Sequence, residues 1–396
     1  MWRAIIEVPN EKIMVRFLTI MGMNKTFVHG NVSASKLSNK DITSILCKRI
    51  EDNIGFYFPE TAEGGIKIVG KSWGGTGTGR TFKFKILLAD NKKNHDIFVK
   101  ISPIYEKLNP GTSEYEALKL LYPQMSLATK CCHVPRPLDF FYDLNALVTE
   151  SVGSKSFKGY LLKNNSKKCA HKSTSNLYSM VIGCAHWLSA FHEITKSGMF
   201  VKFESSQFME TFKKEFELLR KLGLIKSVID RIEILLGRLP LLDGRFLMPC
   251  AMWHYDFTPG HVFIEDNKIT VIDVLGLPNA PIYEDIGKWL SAMPTVNSFP
   301  LYPHFDYEHA NGRLGDVFLD GYLSRTTLNK NEFLILSNIY KLKYFISTFV
   351  AQTSRISERV HPIASKIFVR LRLRKIFLSN MLRTIGCISE RMKLFA

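Results

Sequence analysis

No C-x-x-C pair and no metal-ligand spacing occurs among the seven cysteines of this 396-residue chain. That excludes a zinc ribbon, a zinc finger and a disulfide-stapled small fold. Cys131 and Cys132 are adjacent and the rest are scattered, as expected of buried thiols in a reduced, cytoplasmic protein. No fixed-period repeat is present, which excludes a solenoid or propeller. Long uninterrupted apolar runs are also missing. Residues 333–351 come nearest, but Lys341 and Lys343 interrupt them, so they read as a core helix and not a membrane span. Glu7, Glu11 and Lys12 break residues 1–23, which make a poor signal peptide. Acidic residues are short, 36 against 53 Lys and Arg, for a net charge of +17. Such a surplus suits polyanionic partners. With no RNP-type or zinc-finger pattern, no specific nucleic acid is expected among them. Aromatics are not lacking. The 28 Phe argue against disorder, and the length suggests two or more compact units.

The most informative stretch runs from Trp253 to Asp273. Val262-Phe263-Ile264 and Ile269-Thr270-Val271-Ile272 read as strands, with Asp266-Asn267-Lys268 as the turn. Position 267 lies midway between 261 and 273, so the fold-back brings His261 and Asp273 to one open end. Asp256 lies on the loop just upstream. Alone, either aspartate reads as a turn cap or a strand end. Together with His254-x-Asp256-x4-His261, two carboxylates and an imidazole form a set able to bind a metal and handle a proton.

The first third reads as β-rich. Residues 41–51 have helical periodicity, with Asp41 as the expected N-cap. Strands are expected at 66–69, 81–88 and 96–101. Between the first two lies Gly74-Gly75-Thr76-Gly77-Thr78-Gly79, a strand–loop–strand unit whose backbone N–H groups can lie over phosphates. The spacing is not the strict G-x-G-x-x-G, and an ordinary glycine hairpin is the plainer reading. Residues 112–121 read as a helix with Thr112 or Ser113 near its start. Lys100 ends a strand 14 residues before Glu114. The two are either a lysine held by a glutamate or two surface charges.

Beyond the strand at 145–150, Gly153 marks a lobe boundary. Residues 155–175, rich in Lys, Ser and Asn, read as a flexible loop. Helices follow at 177–195, with His192 structural and not catalytic, and across 208–236, stopped by Gly237. Further helices start at Glu284-Asp285 and near 315, and another spans 332–353. The tail from Lys366 to Ala396 carries eight Lys or Arg and one acidic residue. It reads as a terminal helix packed on the lobe with a solvated basic face, or as a contact with an anionic membrane.

In this order the residues resemble the protein-kinase-like superfamily, in its aminoglycoside phosphotransferase and choline kinase branch. The resemblance covers roughly residues 60 to 325. It rests on the glycine loop, Val99-Lys100, Ser113-Glu114-Tyr115-Glu116-Ala117-Leu118, Val134-Pro135-Arg136-Pro137, Leu147-Val148-Thr149-Glu150 and Leu188-Ser189-Ala190-Phe191-His192. It rests above all on His254-Tyr255-Asp256-Phe257-Thr258-Pro259, Val271-Ile272-Asp273 and Glu284-Asp285-Ile286-Gly287-Lys288.

The resemblance implies an α+β, two-lobed fold, with a small antiparallel β-rich N-lobe and a larger, mainly α-helical C-lobe. Its implied divisions are an extension (1–45), a nucleotide-binding N-lobe (46–152), a catalytic and acceptor-binding C-lobe (153–360) and a basic tail (361–396). It implies ATP and Mg²⁺ as cofactors and transfer of the γ-phosphoryl group to a hydroxyl of a small molecule, sugar or glycan. Asp256 would take the hydroxyl proton. Gly75, Thr76, Gly77, Thr78 and Gly79 would cover the phosphates, Lys100 paired with Glu114 would contact them, and Glu150 would lie at the hinge. Asp273 would bind the metal. The family's second metal ligand, an Asn five residues after the catalytic Asp, is replaced here by His261. Three roles are open to His261: a metal ligand that favours Mn²⁺, a hydrogen-bond partner of Asp256 or a phosphate, or the mark of an impaired pseudokinase. Similar bacterial kinases of lipopolysaccharide core sugars also carry His there. The charge of +17 suits an anionic or membrane-borne acceptor better than a polycationic aminoglycoside.

Overall fold

The computed structural model describes residues 37–59, 66–73, 79–88, 94–103, 110–153, 155–164, 174–221, 226–296, 307–359 and 374–395. Helix α1 (Asn39–Tyr57) precedes three strands, β1 (Ile66–Trp73), β2 (Arg80–Leu88) and β3 (His95–Ile101). Helix α2 (Pro110–Ala128) follows, then β4 (Cys132–His133), β5 (Pro137–Phe141) and β6 (Ala146–Glu150). Five of these strands form one antiparallel sheet in the order β1-β2-β3-β6-β5. Period-two alternation builds it. Ile97, Val99 and Ile101 are buried on one face with Phe82, Phe84 and Ile86, against Ile42, Leu46, Ile50 and Ile54 of α1. Lys100 therefore points to the opposite face.

The start of α1 corrects one expectation. Ser38, not Asp41, is the N-cap. Its hydroxyl accepts from the Asp41 N–H at 3.2 Å, and the Asp41 carboxylate accepts from the Ser38 N–H at 3.3 Å. The helix thus begins before residue 46, and a division at 45/46 falls inside it. Helix α2 also starts earlier than expected, placing Thr112 and Ser113 within its first turn.

The C-lobe begins with α3 (Phe157–Asn164), inside the stretch read as a flexible loop. Phe157 and Leu161, one turn apart, are buried, and the Phe157 ring stacks on Trp289 at 6.0 Å. That burial overrides the polar composition; residues 165–173 lie outside the described residues. Then come α4 (Thr174–Ile194), β7 (Phe200–Lys202), α5 (Ser205–Lys221), α6 (Lys226–Leu236), β8 (Leu247–Trp253), β9 (Val262–Glu265), β10 (Lys268–Val271) and β11 (Leu277–Pro281). Helices α7 (Tyr283–Ala292), α8 (Tyr307–Leu323), α9 (Lys330–Arg359) and α10 (Arg374–Met392) complete the lobe. The hairpin turn has positive φ at both central residues, 47° at Asp266 and 63° at Asn267, as a tight two-residue turn requires. The hairpin tip meets the lobe boundary at Gly153, where an added Cβ would lie 2.8 Å from a carboxylate oxygen of the Glu265 side chain.

Phe377, Met381, Ile385 and Ile388 of α10 are buried, with Phe377 against Phe345 and Phe349 of α9. The apolar face of the terminal helix is thus spent on the lobe. Among the described residues no helix is long and apolar enough to cross a membrane.

Candidate active site

Strand β8 delivers the chain to His254, and the next turn is held from below. Asp285, in the first turn of α7 and 1% exposed, accepts from the His254 N–H at 3.0 Å and the Tyr255 N–H at 3.2 Å. His192 faces the same carboxylate at 3.3 Å and the Tyr322 hydroxyl at 2.8 Å, a structural place that agrees with the expectation for it. Tyr255 adopts a φ of 78°, rare for a large side chain, so the loop is strained where it turns. The His254 ring is enclosed by Trp187, Phe191 and Phe257. Burial pushes its pKa down to about 4, so it is a neutral wedge and not a proton carrier near neutral pH.

The loop presents Asp256, and the hairpin brings His261 and Asp273 to the same end. The His261 Nδ1 lies 2.8 Å from the backbone oxygen of Asp256. A carbonyl oxygen only accepts, so Nδ1 carries the hydrogen. The other ring nitrogen, Nε2, faces Asp273 Oδ2 at 3.4 Å. Asp273 has a φ of 60°, a second strained residue in the site. Its Oδ1 accepts from Lys100 Nζ at 2.7 Å, and Lys100 also donates to Glu114 Oε2 at 2.8 Å. Burial opposes the charge on Lys100, but Glu114 and Asp273 hold its pKa above the ordinary lysine value. Burial pushes the Glu114 carboxyl up against the pull of Lys100, whereas Lys100 and His261 overcome burial at Asp273 and hold it below the usual range.

The structure thus brings together Lys100, Glu114, Asp256, His261 and Asp273. Glu150 stands apart at the end of β6, paired with Ile97. Gly79 sits immediately before β2, with the Ile101 carbonyl 3.2 Å from where a Cβ would be. Gly75, Thr76, Gly77 and Thr78 lie outside the described residues.

Two further residues shape the site: Asp285, and Lys288, whose Nζ is 3.3 Å from Asp256 Oδ1. Both belong to the Glu284–Lys288 group that carries the resemblance, but acids in a first helical turn read first as dipole partners. Among the described residues no set of three or more His, Cys, Asp or Glu is arranged to hold a metal by itself.

No protein-family model and no curated protein matches the sequence. Among solved structures, glucosamine kinase in complex with glucosamine, ADP and inorganic phosphate aligns over 82% of this chain and 83% of its own, with a TM-score of 0.52 at 13% identity. The chain has the two-lobed protein-kinase-like fold. A second crystal form of glucosamine kinase gives a TM-score of 0.51 at 14% identity, over 82% of this chain and 83% of its own. A choline/ethanolamine kinase family protein from Mesorhizobium loti gives 0.49 at 12% identity, over 88% of this chain and 99% of its own. At such identities the likeness is one of fold. In this kinase-like fold the five clustered side chains lie where the two lobes meet: Lys100 and Glu114 from the sheet and α2, the others from the C-lobe loop and hairpin.

Proposed function

We propose that the chain is an ATP-dependent phosphotransferase that moves the γ-phosphoryl group to a hydroxyl of a small molecule, sugar or glycan. The observation that supports it best is the convergence of Lys100–Glu114 with Asp256, His261 and Asp273. Catalysis of this kind is mainly positioning and charge neutralisation. Lys100, fixed by Glu114, supplies a positive charge for phosphate oxygens. Asp256, held on a strained loop by Asp285, orients the attacking hydroxyl and accepts its proton. Asp273 Oδ2 and His261 Nε2 form a two-donor set that fits a divalent cation completed by phosphate oxygens and water. Mg²⁺ bound there would neutralise phosphate charge, and the nitrogen donor suits Mn²⁺ as well.

The test is transfer of labelled γ-phosphate from ATP by the purified full chain to sugars, lipid-linked glycans and aminoglycosides, with Mg²⁺ and with Mn²⁺. Asp256→Asn is expected to lower turnover roughly 10³-fold while nucleotide still binds. Unchanged turnover would remove Asp256 from the role assigned to it. A second reading, a nucleotide-binding scaffold, is favoured by His261 standing where an oxygen donor serves the metal better. Nucleotide binding without turnover in either metal is its signature.

A further inference from the structure

Lys288 has no task among the roles given to Lys100, Asp256, His261 and Asp273, and any part it plays in the transfer rests on the phosphotransferase reading. It lies three residues after Asp285 on α7, hence on the same helix face. Asp285 fixes the backbone of the catalytic loop, and Lys288 reaches the Asp256 side chain. Its Nζ stands 3.3 Å from Oδ1, while His261 stands 3.5 Å from Oδ2, so the two flank opposite oxygens of the carboxylate.

The surroundings hold Lys288 without using up its donors. The nearby Glu284 carboxylate is taken by Lys343 at 2.7 and 2.9 Å and by the Tyr344 hydroxyl at 2.7 Å. Lys288 Nζ rests over the Tyr344 ring, 5.2 Å from its centroid. An aromatic face attracts an ammonium without accepting a conventional hydrogen bond. Charge-assisted N–H···O bonds close to about 2.7–2.9 Å, so the 3.3 Å contact is a loose one. An ammonium has three N–H donors, and Asp256 engages one. The side chain is 26% exposed. Lys100, the other lysine of the site, is taken by Glu114 and Asp273.

We propose that Lys288 is a catalytic residue of the transfer, its ammonium donating to the transferring phosphoryl group beside the hydroxyl held by Asp256. In the step, the acceptor oxygen forms a bond to the γ-phosphorus, and the bond from that phosphorus to the β,γ-bridging oxygen breaks. The electron pair of the broken bond stays on ADP, and the hydroxyl proton goes to Asp256. Negative charge spreads over the three phosphoryl oxygens in flight, and a fixed cation there stabilises the transition state more than the ground state.

The experiment uses the full chain with ATP and Mg²⁺ or Mn²⁺, and water as acceptor, reading phosphate and ADP release. Lys288→Met is expected to slow release at saturating ATP about 100-fold, the cost of removing one charge-stabilising donor. The KM for ATP and the ADP-induced rise in melting temperature stay within about twofold of wild type, and Lys288→Arg recovers most of the rate. Lys288→Gln serves as a second neutral variant if Lys288→Met does not fold. The inference is overturned by unchanged release in the neutral variants, by a higher KM at unchanged saturated rate, or by an arginine variant as slow as the neutral ones. A wild-type rate that depends on Asp256 but not on Lys288 overturns this inference alone. No release by wild type together with no transfer to any acceptor of the screen above, or equal release by Asp256→Asn, overturns the phosphotransferase reading and this inference with it.

Discussion

His254 and Glu215 are both taken out of water, and the loss of solvent moves their protonation in opposite senses. His254 drops from 6.5 to about 4, so the folded state prefers the neutral ring. Its contribution to stability is present above pH 6.5 and drains as the pH falls toward 4. Glu215 rises from 4.5 to about 7, because burial outweighs the Ser347 hydroxyl and the Lys343 charge that pull it down, so the folded state prefers the protonated acid. Its contribution is present below pH 4.5 and is lost as the pH rises through 7. The two oppose each other in mildly acid solution, and above that range only the Glu215 loss continues. Glu215→Gln keeps the acceptor for the Ser347 hydroxyl, which donates to Oε1 at 2.6 Å, and removes the charge. It is expected to match wild type at pH 4.5 and to be more stable at pH 8, on the order of 2 kcal/mol by urea denaturation. A pH-independent difference would show that burial does not govern this acid. Neither residue announces its state in the sequence, because solvent exclusion is set by distant helices.

Helix α7 carries three tasks, and one position decides whether it can sit where they need it. Asp285 holds the loop, Lys288 meets Asp256, and Trp289 fills the core against Phe257 and Phe318. Gly287 faces α9, where an added Cβ would stand 2.6 Å from the backbone carbonyl carbon of Tyr340. Backbone cannot yield as a side-chain tip can. Gly287→Ala is therefore expected to cost about 1–3 kcal/mol in urea denaturation and to lower turnover by displacing Asp285 and Lys288. A neutral result would mean that α7 and α9 are less closely packed. At this scale the strands of the N-lobe and of the 262–271 hairpin were legible where alternation and turn chemistry act between neighbours: the expected strand at 81–88 is observed as Arg80–Leu88, whereas β7, β8 and β11 were not expected. Helix α3 was not, because two buried side chains in a polar segment give no periodic signal.

The described residues form two apolar cores, one under the N-lobe sheet and one through the C-lobe, and α2 contributes Ala117, Leu118, Leu121 and Met125 to the second. The lobes are thus joined by packing as well as by the chain. Across that junction Lys100 bonds to Glu114 of α2 and to Asp273 of the C-lobe hairpin. ADP with a divalent cation is expected to raise the melting temperature on the order of 5 °C when well above its dissociation constant. Lys100→Met is expected to abolish most of that rise, read by differential scanning fluorimetry. A full shift in the variant would place the phosphates elsewhere.

The sequence by itself determined the hairpin that unites His261 and Asp273, the loop that presents Asp256, and the alternation that turns Lys100 away from the sheet's core. Each follows from local rules: period-two alternation and the chemistry of tight turns. The tertiary structure alone decided that Lys100 meets Asp273 across 173 residues of chain, that Asp285 supports the loop, and that Lys288 stands beside Asp256. Those contacts depend on how helices and lobes pack, and packing leaves no mark on the spacing of residues that meet only in three dimensions.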